Sequence, residues 1–220
     1  MNKITLLVAG LSVFTVSQAQ DIIDDFSIPY SSTVISGSVS AVQTGSMLSG
    51  ERDVRVRVIN NPIAGQAARV TITGSQLSVI SNDFLVRSTL ELQYDKVGDE
   101  TPGVNVQLNN GAGTANLLGA NTQVDVRFLQ NDLDVDILAT LRNQGSIIAQ
   151  ISRTRAGGSG QGTESFNFGA IAAQADSITL TFGAQPSGDF ALEGVEAVPE
   201  PATMTALGLG LAAMMRRRRN

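Results

Sequence analysis

With no histidine and no cysteine in the sequence, the side chains able to do chemistry are carboxylates, hydroxyls and guanidinium groups. Ser-His-Asp and Cys-His nucleophilic sites, His- or thiolate-ligated zinc and iron–sulfur clusters are excluded by composition alone. Hard oxygen ligands remain. Asp132, Asp134 and Asp136 alternate along one predicted strand, with Asn131 and Asp125 nearby, a pattern that suits calcium. Side chains on one strand project in parallel rather than converging, so the plainer reading is a solvated polar face. Asp24 and Asp25 read first as turn residues and second as part of a calcium site at the sandwich rim.

Glu51 and Asp53 flank Arg52 and offer paired carboxylates of the kind that hydrolyse glycosides without histidine. Such enzymes line their clefts with aromatic rings, whereas this chain has 0 Trp and 2 Tyr. An inter-strand salt bridge is the simpler role, and no catalytic residue is assigned. Gly157 to Gly162 has the glycine content of a phosphate loop but lacks the Lys-Ser/Thr ending, so it reads as a flexible loop. Thr71 with Thr73 and Thr179 with Thr181 are too few for the threonine array of an ice-binding plane.

The elements that position these residues follow from period-two alternation. Val54 to Val58, Val104 to Leu108, Val124 to Phe128 and Leu133 to Ile137 each place apolar and polar side chains on opposite faces. Strand-like runs recur at 68–73, 76–80, 89–94, 147–153, 165–168, 177–182 and 190–195, mostly separated by Gly, Asn, Asp or Ser. Arg142-Asn143-Gln144-Gly145 is a predicted hairpin turn. No helical period is convincing in this body. The expected fold is all-β: an antiparallel two-sheet sandwich, jelly-roll-like, flanked by an N-terminal signal peptide and a single C-terminal apolar helix.

Both ends carry targeting features. Lys3 precedes the uncharged apolar run Ile4 to Val16, and Ser17-Gln18-Ala19 places small residues at the −3 and −1 positions of a signal-peptidase site. Residues 1–19 are therefore expected to be a signal peptide cut between Ala19 and Gln20. Pro199-Glu200-Pro201 precedes an uncharged apolar stretch of 14 residues, Ala202 to Met215, followed by Arg216, Arg217, Arg218 and Arg219. Such a helix is shorter than the roughly 30 Å hydrocarbon core, and its arginines favour the cytoplasmic side, so it predicts a marginal transmembrane anchor. Between these ends, residues 20–197 form the expected ectodomain, with ten basic and 19 acidic residues and a net charge of −9. That charge repels nucleic acid and anionic lipid.

Val198-Pro199-Glu200-Pro201-Ala202-Thr203, the apolar stretch and the terminal arginines resemble the PEP-CTERM sorting signal of Gram-negative bacteria. The resemblance covers residues 198–220. It implies an exosortase, an inner-membrane protease, as processing partner, transient anchoring in the inner membrane, and release to the surface or to an exopolysaccharide-rich matrix. Asp24-Asp25-Phe26, Gly50-Glu51-Arg52-Asp53, Leu90 to Asp95 and Ser165 to Phe168 resemble an ectodomain recurrent among such proteins, similar to carbohydrate-binding jelly rolls. The resulting expectation is a non-catalytic surface or extracellular-matrix protein of a Gram-negative bacterium, with no cofactor other than calcium as a candidate; the alternative is a lectin-like carbohydrate-binding module. Its expected partners are signal peptidase, exosortase and exopolysaccharide.

Overall fold

The computed structural model describes residues 20–48, 50–74, 78–95 and 116–199. The leader through Ala19, the predicted strand Val104 to Leu108, and the tail from Glu200 through Arg219 lie outside the described residues. Among the described residues, thirteen strands carry the fold. In chain order they are β1 (Asp21–Asp24), β2 (Tyr30–Val34), β3 (Ser38–Thr44), β4 (Glu51–Asn60), β5 (Ala68–Ile72), β6 (Ser78–Asn82) and β7 (Arg87–Tyr94), followed by β8 (Gln123–Asn131), β9 (Val135–Asn143), β10 (Ser146–Arg155), β11 (Gly162–Asn167), β12 (Ser177–Ala184) and β13 (Phe190–Val198). A 3-10 turn, Gly169–Gln174, links β11 to β12.

The strands form two antiparallel sheets, one ordered β11-β8-β13-β6-β5-β2 with β1 added beside β13, the other β10-β9-β12-β7-β4-β3. This is the jelly-roll-like, all-β sandwich that the alternation predicts. Each strand with one face in the core shows the pattern directly: Val54 and Val56 of β4, Val124, Val126 and Phe128 of β8, and Ile178, Leu180 and Phe182 of β12 are all buried. Phe128 and Phe190 from the seven-stranded sheet meet Phe182 from the six-stranded one, with centroids 5.6 to 6.2 Å apart, so the two sheets interlock through aromatic contacts. The β9–β10 hairpin turns through Gln144 and Gly145, both with positive φ, as a two-residue turn matched to strand twist requires.

Two expectations need correction. Asp132, Asp134 and Asp136 do not share one strand: β8 ends at Asn131 and β9 begins at Val135, so the first two lie in the intervening turn. Their alternation continues through that turn because aspartates there accept backbone N–H groups, a role independent of strand period. The loop at Gly157 is also fastened: Gly157 N–H donates to Asp134 Oδ1 at 2.6 Å and Gly158 N–H to the Asp132 carbonyl at 2.9 Å. A Cβ on Gly157 would sit 2.8 Å from Leu133 Cα, so glycine is needed there for close approach, not for flexibility.

Candidate functional site

The chemistry-bearing side chains concentrate on the outer face of the six-stranded sheet. Because Ile178, Leu180 and Phe182 enter the core, Ser177, Thr179 and Thr181 of β12 face outward, and the same count puts Glu91 and Gln93 of β7, Asp53 and Arg55 of β4, and Leu138 and Thr140 of β9 on that face. The ladder register aligns them in rows. One row runs Gln150, Thr140, Thr179, Gln93, Asp53, and the next Ser152, Leu138, Thr181, Glu91, Arg55. Neighbours within a row bond across strands: Gln150 Nε2 donates to Thr140 Oγ1, and Thr179 Oγ1 to Gln93 Oε1, each at 3.1 Å. Arg55 pairs with Glu91, its neighbour across the β4–β7 ladder.

The two ends of this face differ. At one end Glu51, Asp53 and Asp95 are buried, with one carboxylate oxygen from each lying within 4.8 Å of the others. Among the described residues, this is the acidic group that converges. The amide of Gln93 donates to Asp95 and so fixes its carboxylate. At the other end the face opens into a groove of about 430 Å³ whose lining includes Arg87, Asp136, Leu138, Ser152, Thr154 and Thr181.

Arg52, between the two clustered carboxylates in sequence, points to the opposite face. It is fully buried, and its Nη1 bonds Asp24 Oδ2 at 2.6 Å while its Nε donates to Gln43 Oε1 at 3.0 Å. Asp24 Oδ2 also accepts the Tyr94 hydroxyl at 2.9 Å, and Oδ1 accepts the Phe26 N–H at 2.8 Å. The guanidinium carbon lies 5.6 Å from the Phe26 ring centre. Burial pushes the Tyr94 phenol well above its ordinary value, and the adjacent Asp24 charge adds to the rise. Asp25 forms only a turn: its Oδ1 accepts the Ser27 N–H at 2.9 Å, and hydrogen bonding from the Ser27 side chain, with that N–H adding to it, lowers its carboxyl. The turn reading therefore holds for both aspartates, and Asp24 carries a buried ion pair besides.

The aspartates singled out for calcium engage separate partners. Asp132 Oδ1 accepts the N–H groups of Leu133 and Asp189 at 2.7 and 2.6 Å, Asp134 Oδ1 takes Gly157, and Asp136 Oδ1 takes the Thr154 hydroxyl at 2.8 Å. All three are exposed. Asp125 accepts Gln123 Nε2 at 2.7 Å, while Asn131 receives Arg155 Nε at 2.9 Å. Pro199 is the last described residue of the sorting motif, one residue beyond the end of β13. No helix among the described residues is long and apolar enough to cross a membrane.

Residues 197–219 match the PEP-CTERM protein-sorting motif. The motif implies exosortase-directed export with a membrane-anchoring sorting signal, and the exosortase as processing partner. No protein of curated function matches the chain in sequence. Among solved structures, a variant of the family 29 carbohydrate-binding module CBM29-2 is 8% identical over 77% of this chain and 91% of its own, with a TM-score of 0.38. The family 11 module of a cellulosomal cellulase of Clostridium thermocellum is 9% identical over 82% and 95%, at a TM-score of 0.37. TmCBM61, solved with β-1,4-galactotriose, is 12% identical over 76% and 91%, at 0.36.

Proposed function

We propose that this chain is a non-catalytic component of the cell surface or extracellular matrix of a Gram-negative bacterium, exported through a signal peptide cut after Ala19. The inner membrane holds it transiently by the tail until the exosortase removes that tail. The observation that carries this reading is the sorting motif at residues 197–219 beside an acidic β-sandwich. Burial of Glu51 and Asp53 keeps a sugar ring from reaching both carboxylates, which supports a binding or structural role over hydrolysis. Contact with exopolysaccharide would use neutral sugar hydroxyls or cation bridges, because direct attraction between an acidic protein and an anionic polymer is unfavourable.

The test is fractionation of the producing cells with and without their exosortase gene. A shortened chain outside the cell, beginning at Gln20 and replaced by membrane-bound precursor when the exosortase is deleted, is expected. Surface material that keeps Arg216 to Arg219 overturns the reading.

The second reading, a lectin-like module, is favoured by the open groove on the outer sheet face. Among the described residues its lining holds no aromatic ring, and Tyr94 is buried in the core, so recognition there rests on hydrogen bonds donated by Arg87 and Thr181 and accepted by Asp136 rather than on ring stacking. Affinity electrophoresis against the producer's own polysaccharide, with Arg87→Ala as control, distinguishes the two: retardation lost in the variant supports the lectin.

A further inference from the structure

We propose that Glu51, Asp53 and Asp95, together with the Ser177 hydroxyl, form a binding site for one divalent cation of the calcium class. Glu51 and Asp53 come from β4 and Asp95 directly follows the adjacent strand β7, and the three present oxygens within 4.8 Å of one another. Calcium holds oxygen ligands at about 2.3–2.6 Å, so ligands across its sphere stand about 5 Å apart, and this trio fits one such sphere. The donors are hard oxygens, which favours calcium or magnesium over softer metals. Magnesium ordinarily keeps several waters, and burial of all three carboxylates favours the ion that sheds them more readily.

A second observation points to the same place from β12. Ser177 is fully buried, and its Oγ has no hydrogen-bond partner. Ile178 pairs with Tyr94 across the β7–β12 ladder, which sets Ser177 level with Asp95 on the same outward face. The outward side chains of these two strands do reach each other, as the Thr179 to Gln93 bond shows two residues along. An unsatisfied hydroxyl is costly in a buried position, and coordination to a cation would satisfy it. Gln93 acts behind the site: its amide holds Asp95 while its carbonyl accepts Thr179, so the ligand oxygen is oriented before any ion arrives.

This inference stands apart from the sorting and surface reading and is tested on the purified full chain. The chelator-stripped protein is titrated with calcium chloride alone by calorimetry, and its melting is followed at each concentration. One ion per chain is expected, with a rise in Tm of about 5–10 °C at a hundred times Kd. Asp53→Asn should weaken calcium at least tenfold, and Ser177→Ala severalfold with unchanged circular dichroism; the second variant decides the matter if the first does not fold. The proposal is overturned if calcium gives neither heat nor a shift in Tm, or if both variants bind as the parent does. It is equally overturned if binding is lost only in Asp132→Asn, Asp134→Asn or Asp136→Asn, which would move the ion to the exposed turn.

Discussion

Asp24 and Asp132 make the same local bond and do different work. Each accepts a backbone N–H one or two residues ahead, fixing the turn after a strand. Asp24 is buried and also receives Arg52 and Tyr94, so it ties β1 to β4 and β7 through the interior. Asp132 is exposed and its other bond reaches only the neighbouring loop at Asp189. A buried charge is costly to leave unpaired, whereas an exposed one falls back on water. The contrast teaches that the second partner and its depth, not the turn itself, decide what an aspartate contributes.

Arg52→Met tests this most severely, because it strands the Asp24 charge in the interior. A loss of about 3–5 kcal/mol in urea unfolding is expected, with part of it recovered in the Asp24→Asn/Arg52→Met double variant. A single variant as stable as the parent would mean that the buried pair is not a stability centre. Tyr94→Phe removes one bond to the same carboxylate and leaves the ion pair in place, so about 1.5–3 kcal/mol should be lost by the same measurement. At the exposed turn, Asp132→Ala should cost about 1 kcal/mol or less; a loss equal to that of Tyr94→Phe would erase the distinction between the two regions.

The smallest effect concerns pH. Burial raises the Asp189 carboxyl, with the nearby Asp132 charge acting in the same direction and the Asn82 N–H bond opposing it. An acid whose folded value is raised favours the native state when protonated, and that contribution is lost as pH climbs from the unfolded value through the raised one. Asp189→Asn should flatten this part of the stability profile. Thermal melts of parent and variant between pH 3 and 7 should therefore converge at the acid end and separate modestly toward neutrality in favour of the variant. Separation that grows toward acid would reverse the assigned sign.

Strands with one face in the core were legible as alternation: β4, β8 and β12 follow from Val54, Val124 and Ile178 and their period-two neighbours. The first three strands were not. β2 and β3 are edge strands, and Tyr30–Val34 and Ser38–Thr44 are rich in Ser and Thr with little fully buried surface, so their apolar period is faint. Arg52 had a usable signal, since counting back by twos from Val56 and Val54 lands it on the core face. Its partner Asp24, 28 residues earlier, had none, because nothing local fixes which loop covers that end of the sheet. The same limit hid the carboxylate trio: alternation correctly sets Asp53 outward, and outward in a sequence reads as wet, although Asp53 and Asp95 are buried.

The place of β13 has a temporal consequence. The final strand lies between β8 and β6 and also receives β1, so the earliest and latest segments of the sandwich are hydrogen-bonded neighbours. A chain threaded across a membrane from its amino end cannot close this sheet until Val198 has emerged. Its maturation clock is thus set by the last residues to arrive, and the sorting match, which begins at Ala197, starts within that closing strand. A processing enzyme that cuts beyond Val198 works on a body already able to close, whereas a cut upstream of Phe190 would withdraw the central strand and leave two half-sheets with open edges, prone to pair with other chains.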